Sequence, residues 1–138
     1  MKKSTEELLS LIQSAKNIDD YLKENEEELH HFTLTEYLNQ LMKDKHLRPA
    51  DIMERSQKSD YVYKVLEGKR KVSRNILIAM AVGMECNLEE VQTLLRIASH
   101  ARLDPRDKKD ALLIYAILNH LTVVQLNEHL YDLDGSQL

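Results

Sequence analysis

The stretch PADIMERSQKSDYVYKVLEGKRKVSR, residues 49–74, predicts two very short helices joined by a tight turn. Pro49 suits the first turn of the first helix, which is expected to end near Arg55. Ser59 is expected to cap the second helix, which runs to about Glu67 and stops before Gly68. Two short helices separated by only a few residues are the pattern of a helix-turn-helix.

The second of these helices has one apolar face and two tyrosines. Val62 and Val65 have the spacing of residues that share a buried helix face. Tyr61 and Tyr63 lie two positions apart, so their side chains point in different directions. We therefore expect at least one of the two tyrosines to face the core, and Tyr61 to be exposed.

Positive charge is concentrated in the same stretch. The whole chain has a formal net charge of −4, which argues against a protein coated with nucleic acid over its full surface. Residues 55–74 are different, because only Asp60 and Glu67 oppose the cations there. A solvated helix end is one interpretation, and a local patch that binds a polyanion is the other. The cations are Arg55, Lys58, Lys64, Lys69, Arg70, Lys71 and Arg74.

The composition predicts an all-α protein with an aliphatic core. Of the 138 residues, 43% are hydrophobic, but one is Phe and none is Trp. Three Gly and two Pro are too few for a fold built from strands and turns. The single cysteine, Cys86, excludes a disulfide within the chain and is expected to be a core residue.

Helix-capping residues mark the expected organisation. Residues 1–32 are expected to form N-terminal acidic helices, the second from about Asp20 to Leu29. Residues 33–98 are expected to form the helix-turn-helix domain, and residues 99–138 a two-helix extension packed on it. The extension is expected to begin its first helix at Asp104 and Pro105. The predicted caps of the other helices are Ser4, Thr33, Ser73, Asn87 and Thr122.

The two C-terminal helix pairs look like copies of one unit. Thr122 lies 35 residues after Asn87, and each begins a capping box. At the same offset, the apolar positions of one pair fall on apolar positions of the other. Two copies indicate a packed α-helical domain and not a long solenoid. The matching pairs are Leu77 with Leu112, Ala81 with Ala116, Leu88 with Val123, Val91 with Leu126, and Leu95 with Leu130.

With these elements in place, residues 35 to about 97 resemble the lambda-repressor-like helix-turn-helix family, also called XRE-type regulators. The junction from Gly68 to Ser73, GKRKVS, is the most specific part of the resemblance. The turn departs from the family pattern, with Ser56 or Gln57 at the usual glycine and Val72 at the usual proline. The resemblance implies a sequence-specific double-stranded DNA-binding transcriptional regulator that is commonly dimeric.

The resemblance also implies which residues contact DNA. The helix at about 59–67 would enter the major groove, and the junction cations would lie near phosphates. Asp60 is awkward beside phosphates unless it accepts from a cytosine amino group. The implied DNA-binding residues are Lys58, Ser59, Asp60, Tyr61, Lys64, Lys69, Arg70, Lys71 and Arg74.

A second function stays open, namely a protein-interaction or signalling adaptor module that keeps the helix-turn-helix fold without binding DNA. The acidic balance and Asp60 favour it. No Gly-rich phosphate loop, nucleophile elbow or metal-ligand spacing is present in the sequence, so we expect neither an enzyme nor a cofactor. No apolar run approaches the ~20 residues of a membrane span, and the first residues lack a signal-peptide core. A cytoplasmic protein is therefore expected.

A homodimer is also expected, formed through residues 105–133 or through the N-terminal helices. One helix-turn-helix offers a limited contact area, and two of them placed on two half-sites gain affinity. In addition, the second copy of the repeat has no later helix to cover its outer face. We therefore expect an exposed apolar patch that includes some of Leu113, Ile117, Leu126 and Leu130.

Overall fold

The computed structural model describes residues 3–25, 33–68 and 71–138, with the backbone alone at positions 59 and 60. These residues form helices and no strands, which confirms the all-α prediction. The helices are α1 Thr5–Ser14, α2 Ile18–Glu24, α3 Leu34–Asp44, α4 Pro49–Ser56, α5 Ser59–Leu66, α6 Arg74–Gly83, α7 Leu88–Ile97, α8 Lys108–Leu118 and α9 Val123–Asp134.

The chain divides into two compact units, residues 1–31 and residues 32–138. The expected boundary between residues 98 and 99 lies inside the second unit.

The first unit contains α1 and α2. Ser4 caps α1, as predicted, because its hydroxyl accepts a hydrogen bond from the main-chain N–H of Glu7. α2 begins at Ile18, earlier than predicted, because Asn17 caps it by accepting from the N–H of Asp20. The predicted end of this helix near Leu29 lies outside the described residues. On α1, Leu9 and Ile12 are exposed.

In the second unit, local hydrogen bonds place most helix starts where the sequence predicts them. Thr33 and Ser73 each accept a hydrogen bond from the N–H three residues later. Asn87 and Thr122 form complete capping boxes, with the side chains of Glu90 and Gln125 accepting from their main-chain N–H groups. These bonds involve neighbours in sequence, which is why the sequence predicts them.

Two predicted starts are wrong. α5 begins at Ser59 itself, and Lys58 occupies the N-cap position. The hydroxyl of Ser56, which is fully buried, accepts from the N–H of Lys58 at 3.2 Å and supports the turn in place of the expected serine cap. α8 begins at Lys108 and not at residues 104–105, because the Asp107 carboxylate accepts from the N–H of Asp110 and caps the helix there.

The core of the second unit is aliphatic and runs through all seven of its helices from α3 to α9. α6 lies at its centre, and every residue from Leu77 to Gly83 is buried. Cys86 is buried with this group, as predicted. α3 is an amphipathic helix whose apolar face belongs to this core, with Leu38, Leu41 and Met42 buried.

One helix-ending turn recurs in the second unit. After α6, Glu85 adopts a left-handed conformation with φ 57°, and the N–H of Cys86 donates to the Ala81 oxygen at 3.0 Å. After α8, His120 has φ 54°, and the N–H of Leu121 donates to the Ala116 oxygen at 3.0 Å. These two turns lie 35 residues apart, in agreement with the sequence offset, but the same turn also ends α3 at His46 and α7 at Ser99 and is therefore not specific to the repeat.

The two copies differ in how well they are covered. The four predicted exposed residues Leu113, Ile117, Leu126 and Leu130 are buried, so that expectation is wrong. They are buried because α8 and α9 pack against each other and against α6 and α7. The apolar side chains that α8 leaves exposed lie on its opposite side, at Tyr115 and Leu118, which are 55% and 61% exposed.

We predict that His120→Gly stabilises the fold. A left-handed conformation strains a residue with a Cβ, whereas glycine adopts it freely. After the entropy that glycine loses on folding, the net gain in unfolding free energy is expected to be about 0.5–1 kcal/mol. Urea denaturation measures this change.

Asn119→Gly is the control for that measurement. Asn119 is adjacent, but its φ of −101° carries no such strain, so this change is expected to lower stability slightly. A lower denaturation midpoint for His120→Gly than for the wild type would contradict the prediction.

Candidate nucleic-acid interface

α5 is fixed by one apolar face and exposes the other. Val62 and Val65 are 0% and 2% exposed, and Leu66 is half-buried beside them. Tyr61 and Tyr63 are 40% and 49% exposed, and Lys64 is exposed as well. The expectation that one tyrosine faces the core is wrong, because the valine face alone fills the space that α3 and α4 leave for α5.

The turn before α5 holds it at a defined angle to α4. α4 ends at Gln57 in a left-handed conformation with φ 61°, and Gln57 Nε2 donates to the main-chain oxygen of Glu54. At the other end of α4, Asp51 accepts from the N–H of Arg48 and forms an ion pair with its guanidinium. These hydrogen bonds from Arg48 hold the pKa of Asp51 below its usual value.

Lys58, the predicted contact at the N-cap position of α5, is half-buried. Its Nζ donates to the main-chain oxygen of Leu138 at 2.7 Å. The partner is 80 residues away in sequence and lies beyond the end of α9. In this conformation the Lys58 ammonium is directed to the protein itself.

Arg74 is also directed inward. Its guanidinium pairs with Asp110 through both terminal nitrogens, at 3.1 and 3.0 Å. Nε donates to the main-chain oxygen of Ala101 at 2.9 Å, and Nη2 also reaches the oxygen of Arg102 at 3.3 Å. All three nitrogens therefore hold Asp110 and the loop before α8, and the guanidinium is directed to the protein itself.

Asp110 is mostly buried in this pair. Burial alone would raise its pKa, but hydrogen bonds from Arg74 and from the N–H of Asp104 outweigh burial, so the pKa lies below its usual value. The carboxylate therefore stays charged and joins α6, the loop and α8. Sequence reasoning missed this residue because its partner is 36 positions away, beyond the reach of helical periodicity.

The remaining predicted contacts fall into two groups. Lys71 is exposed next to Val72, which is buried and whose main-chain oxygen lies 2.7 Å from His100 Nε2. Lys69 and Arg70 lie outside the described residues, as do the side chains of Ser59 and Asp60. The structure thus brings Tyr61, Lys64 and Lys71 to the surface and withdraws Lys58 and Arg74 from it.

A pocket of about 290 Å³ lies beside the turn. It is formed by the ends of α4, α6 and α8 and the start of α9, with Val82 and Ile117 among its apolar residues. Cys86 also lines it, and burial raises the pKa of this thiol to about 12. Since the thiolate is the nucleophile and the metal ligand, Cys86 is poorly suited to either role.

Within residues 3–25, 33–68 and 71–138, no group of three or more His, Cys, Asp and Glu side chains could hold a metal ion. In the same part of the chain, no helix is both long enough and apolar enough to cross a membrane.

Comparison with known proteins leaves the family open. The chain matches no family model, no curated protein and no solved structure.

We predict that Arg74→Ala lowers the unfolding free energy by about 2 kcal/mol, because the Asp110 carboxylate then loses its charged hydrogen-bond partner in a partly buried place. Arg102→Ala is the control, since it removes an exposed guanidinium from the same loop and keeps the main-chain oxygen that Arg74 contacts. Equal losses in the two variants would contradict the prediction.

The same pair predicts a pH dependence. A carboxyl group whose pKa is lowered by folding contributes its stability above its unfolded pKa of about 4, and loses it as the pH falls through the lower, folded value. The wild type is thus expected to exceed Asp110→Asn in unfolding free energy by a constant amount above about pH 5. This difference is expected to shrink as the pH falls below about 4. Urea denaturation of both proteins across this pH range measures whether the difference shrinks at low pH.

Proposed function

We propose that this chain binds double-stranded DNA through α5 and acts as a transcriptional regulator. The observation that carries the proposal is the placement of α5. Val62 and Val65 anchor it behind a fixed turn, while Tyr61, Tyr63 and Lys64 are exposed on a helix short enough to enter a major groove. The proposal includes no catalytic step, and it places the protein in the cytoplasm with its DNA.

Different residues would supply affinity and sequence preference. Lys64 and Tyr61 would face base edges, together with Ser59 and Asp60 at the first turn of α5. Lys71, with Lys69 and Arg70 next to it in sequence, would contact phosphates, which carry no sequence information.

We predict DNA binding that weakens with salt. Lys64 is assigned to base edges, Arg74 pairs with Asp110, and Lys58 is directed to Leu138, so three of the implied contacts remain for the backbone, namely Lys69, Arg70 and Lys71. If all three reach phosphates, a plot of log affinity against log salt is expected to have a slope of about −2.7. Anisotropy of labelled duplexes at several salt concentrations measures it.

Variants separate the two roles within that experiment. Lys71→Ala is expected to weaken binding to all duplexes equally, whereas Lys64→Ala is expected to change the preference among sequences selected from a random pool. Lys43→Ala, which removes an exposed lysine from α3, is the control. The absence of binding by the wild type even at low salt would overturn the proposal.

A homodimer would place two α5 helices on two half-sites, and the exposed side of α8 is its proposed seam. Ala111, Ile114, Tyr115 and Leu118 have the spacing of one helical stripe, and the last two are more than half exposed. Their equivalents 35 residues earlier include Met80 and Gly83, which α4 covers in the first copy of the repeat. Since α8 has no such cover within residues 33–68 and 71–138, pairing with α8 of a second copy would supply it.

We predict that the wild type is a dimer at micromolar concentration and that Leu118→Glu weakens dimerisation by tenfold or more, roughly the effect of losing about 1.5–3 kcal/mol of leucine burial. Light scattering over a dilution series measures this. Val124→Glu is the control, because Val124 is 52% exposed on α9 outside the stripe. A monomeric wild type would sink the dimer proposal.

The second candidate function is a protein-interaction module that does not bind DNA. Two observations favour it: Lys58 and Arg74 are engaged within the chain, and Tyr115 and Leu118 offer an apolar surface. A monomer that fails to bind any duplex but binds another protein through α8 would support this alternative.

A further inference from the structure

The segment after α9 folds back onto the start of α5. α9 ends at Gly135, which takes a left-handed conformation with φ 77° and reverses the chain. The N–H of Ser136 then donates to the Asp134 carboxylate at 2.9 Å, and the N–H of Leu138 donates to Asn127 Oδ1 at 2.8 Å. The returning segment is therefore held to α9 at two points.

The side chain of Leu138 adds an apolar contact to these hydrogen bonds, because the residue is only 6% exposed and belongs to the core. Its main-chain oxygen accepts from Lys58 Nζ at 2.7 Å. A single residue thus links α9 to the N-cap position of α5.

This link occupies a place that DNA would use. Lys58 stands at the start of α5, where a helix in the major groove lies close to the phosphates. The groove beside it is lined by α9, whose exposed Glu128 and Asp132 add negative charge next to Lys58. Both features oppose a phosphate at this end of α5. The hydrogen bond to Leu138 occupies the Lys58 ammonium, and the carboxylates of Glu128 and Asp132 repel the phosphate.

We propose that residues 135–138 form an autoinhibitory latch, which withholds Lys58 from DNA until the segment is released from α9. This inference rests on the proposed DNA binding and adds its regulation. In the latched state Lys58 donates to Leu138, and in the released state the same ammonium contacts a phosphate. Release requires breaking the Asn127 contact and exposing the Leu138 side chain.

Asn127→Ala tests the latch, because it removes the acceptor for the Leu138 N–H from a half-buried side chain and leaves the proposed DNA-contacting residues intact. The variant is expected to bind labelled random-sequence duplexes about three- to tenfold more tightly than the wild type, and to steepen the salt slope by about 0.9, the value of one added phosphate contact. Adding Lys58→Ala to Asn127→Ala is expected to abolish both gains.

Two more variants complete the experiment. Leu138→Ser removes the buried side chain and is expected to reproduce the gain by a different route. Asn119→Ala is the matched control, because the Asn119 side chain also bonds the main chain, with Nδ2 donating to the oxygen of Tyr115 at the end of another helix. Its affinity and slope are expected to equal those of the wild type.

The outcomes distinguish the two proposals. If the wild type binds DNA and both latch variants have unchanged affinity and slope, the latch is wrong and the proposed function stands. If no variant binds any duplex at low salt, the proposed function fails and the latch fails with it. A gain in Asn127→Ala that persists after Lys58→Ala would also overturn the latch, since Lys58 would not be the group released.

Discussion

The absence of a side chain at Gly83 sets the distance between α4 and α6, and the orientation of α5 depends on it. A Cβ at this position would lie 3.0 Å from the N atom of Ser56 and 3.2 Å from the Arg55 carbonyl carbon, both in the backbone of α4. The close approach buries Ser56, whose hydroxyl then supports the turn into α5. In the second copy of the repeat, Leu118 stands at the equivalent position. Its side chain prevents a helix of the same chain from packing as closely on α8.

Local features could be predicted from the sequence because the interactions behind them are local. The caps at Ser4, Thr33, Ser73, Asn87 and Thr122 join residues three apart. The all-α class follows from the scarcity of glycine and from helical periodicity. The errors at Ser59 and Asp104 arose where two candidate caps lie a few residues apart and the surrounding packing decides between them.

The candidate interface could be predicted less well, because charge in a sequence does not show where a side chain is directed. Lys58 and Arg74 look equivalent to Lys64 and Lys71 in the sequence, but their partners lie 80 and 36 residues away. Only the folded chain distinguishes cations that hold the protein together from cations that face outward. In an acidic protein, some cations of a basic stretch can thus bond to the protein's own carboxylates and main-chain oxygens.

Because Cys86 is buried, the rate at which a thiol reagent labels it depends on motions of the protein. Cys86 is the only thiol in the chain and is 3% exposed, and burial raises its pKa to about 12, so its reaction with a thiol reagent is expected to be slow in the closed structure. A transient opening around the end of α6 would expose the thiol and speed its alkylation. The rate of labelling in native buffer accordingly reports on that opening without any engineered probe.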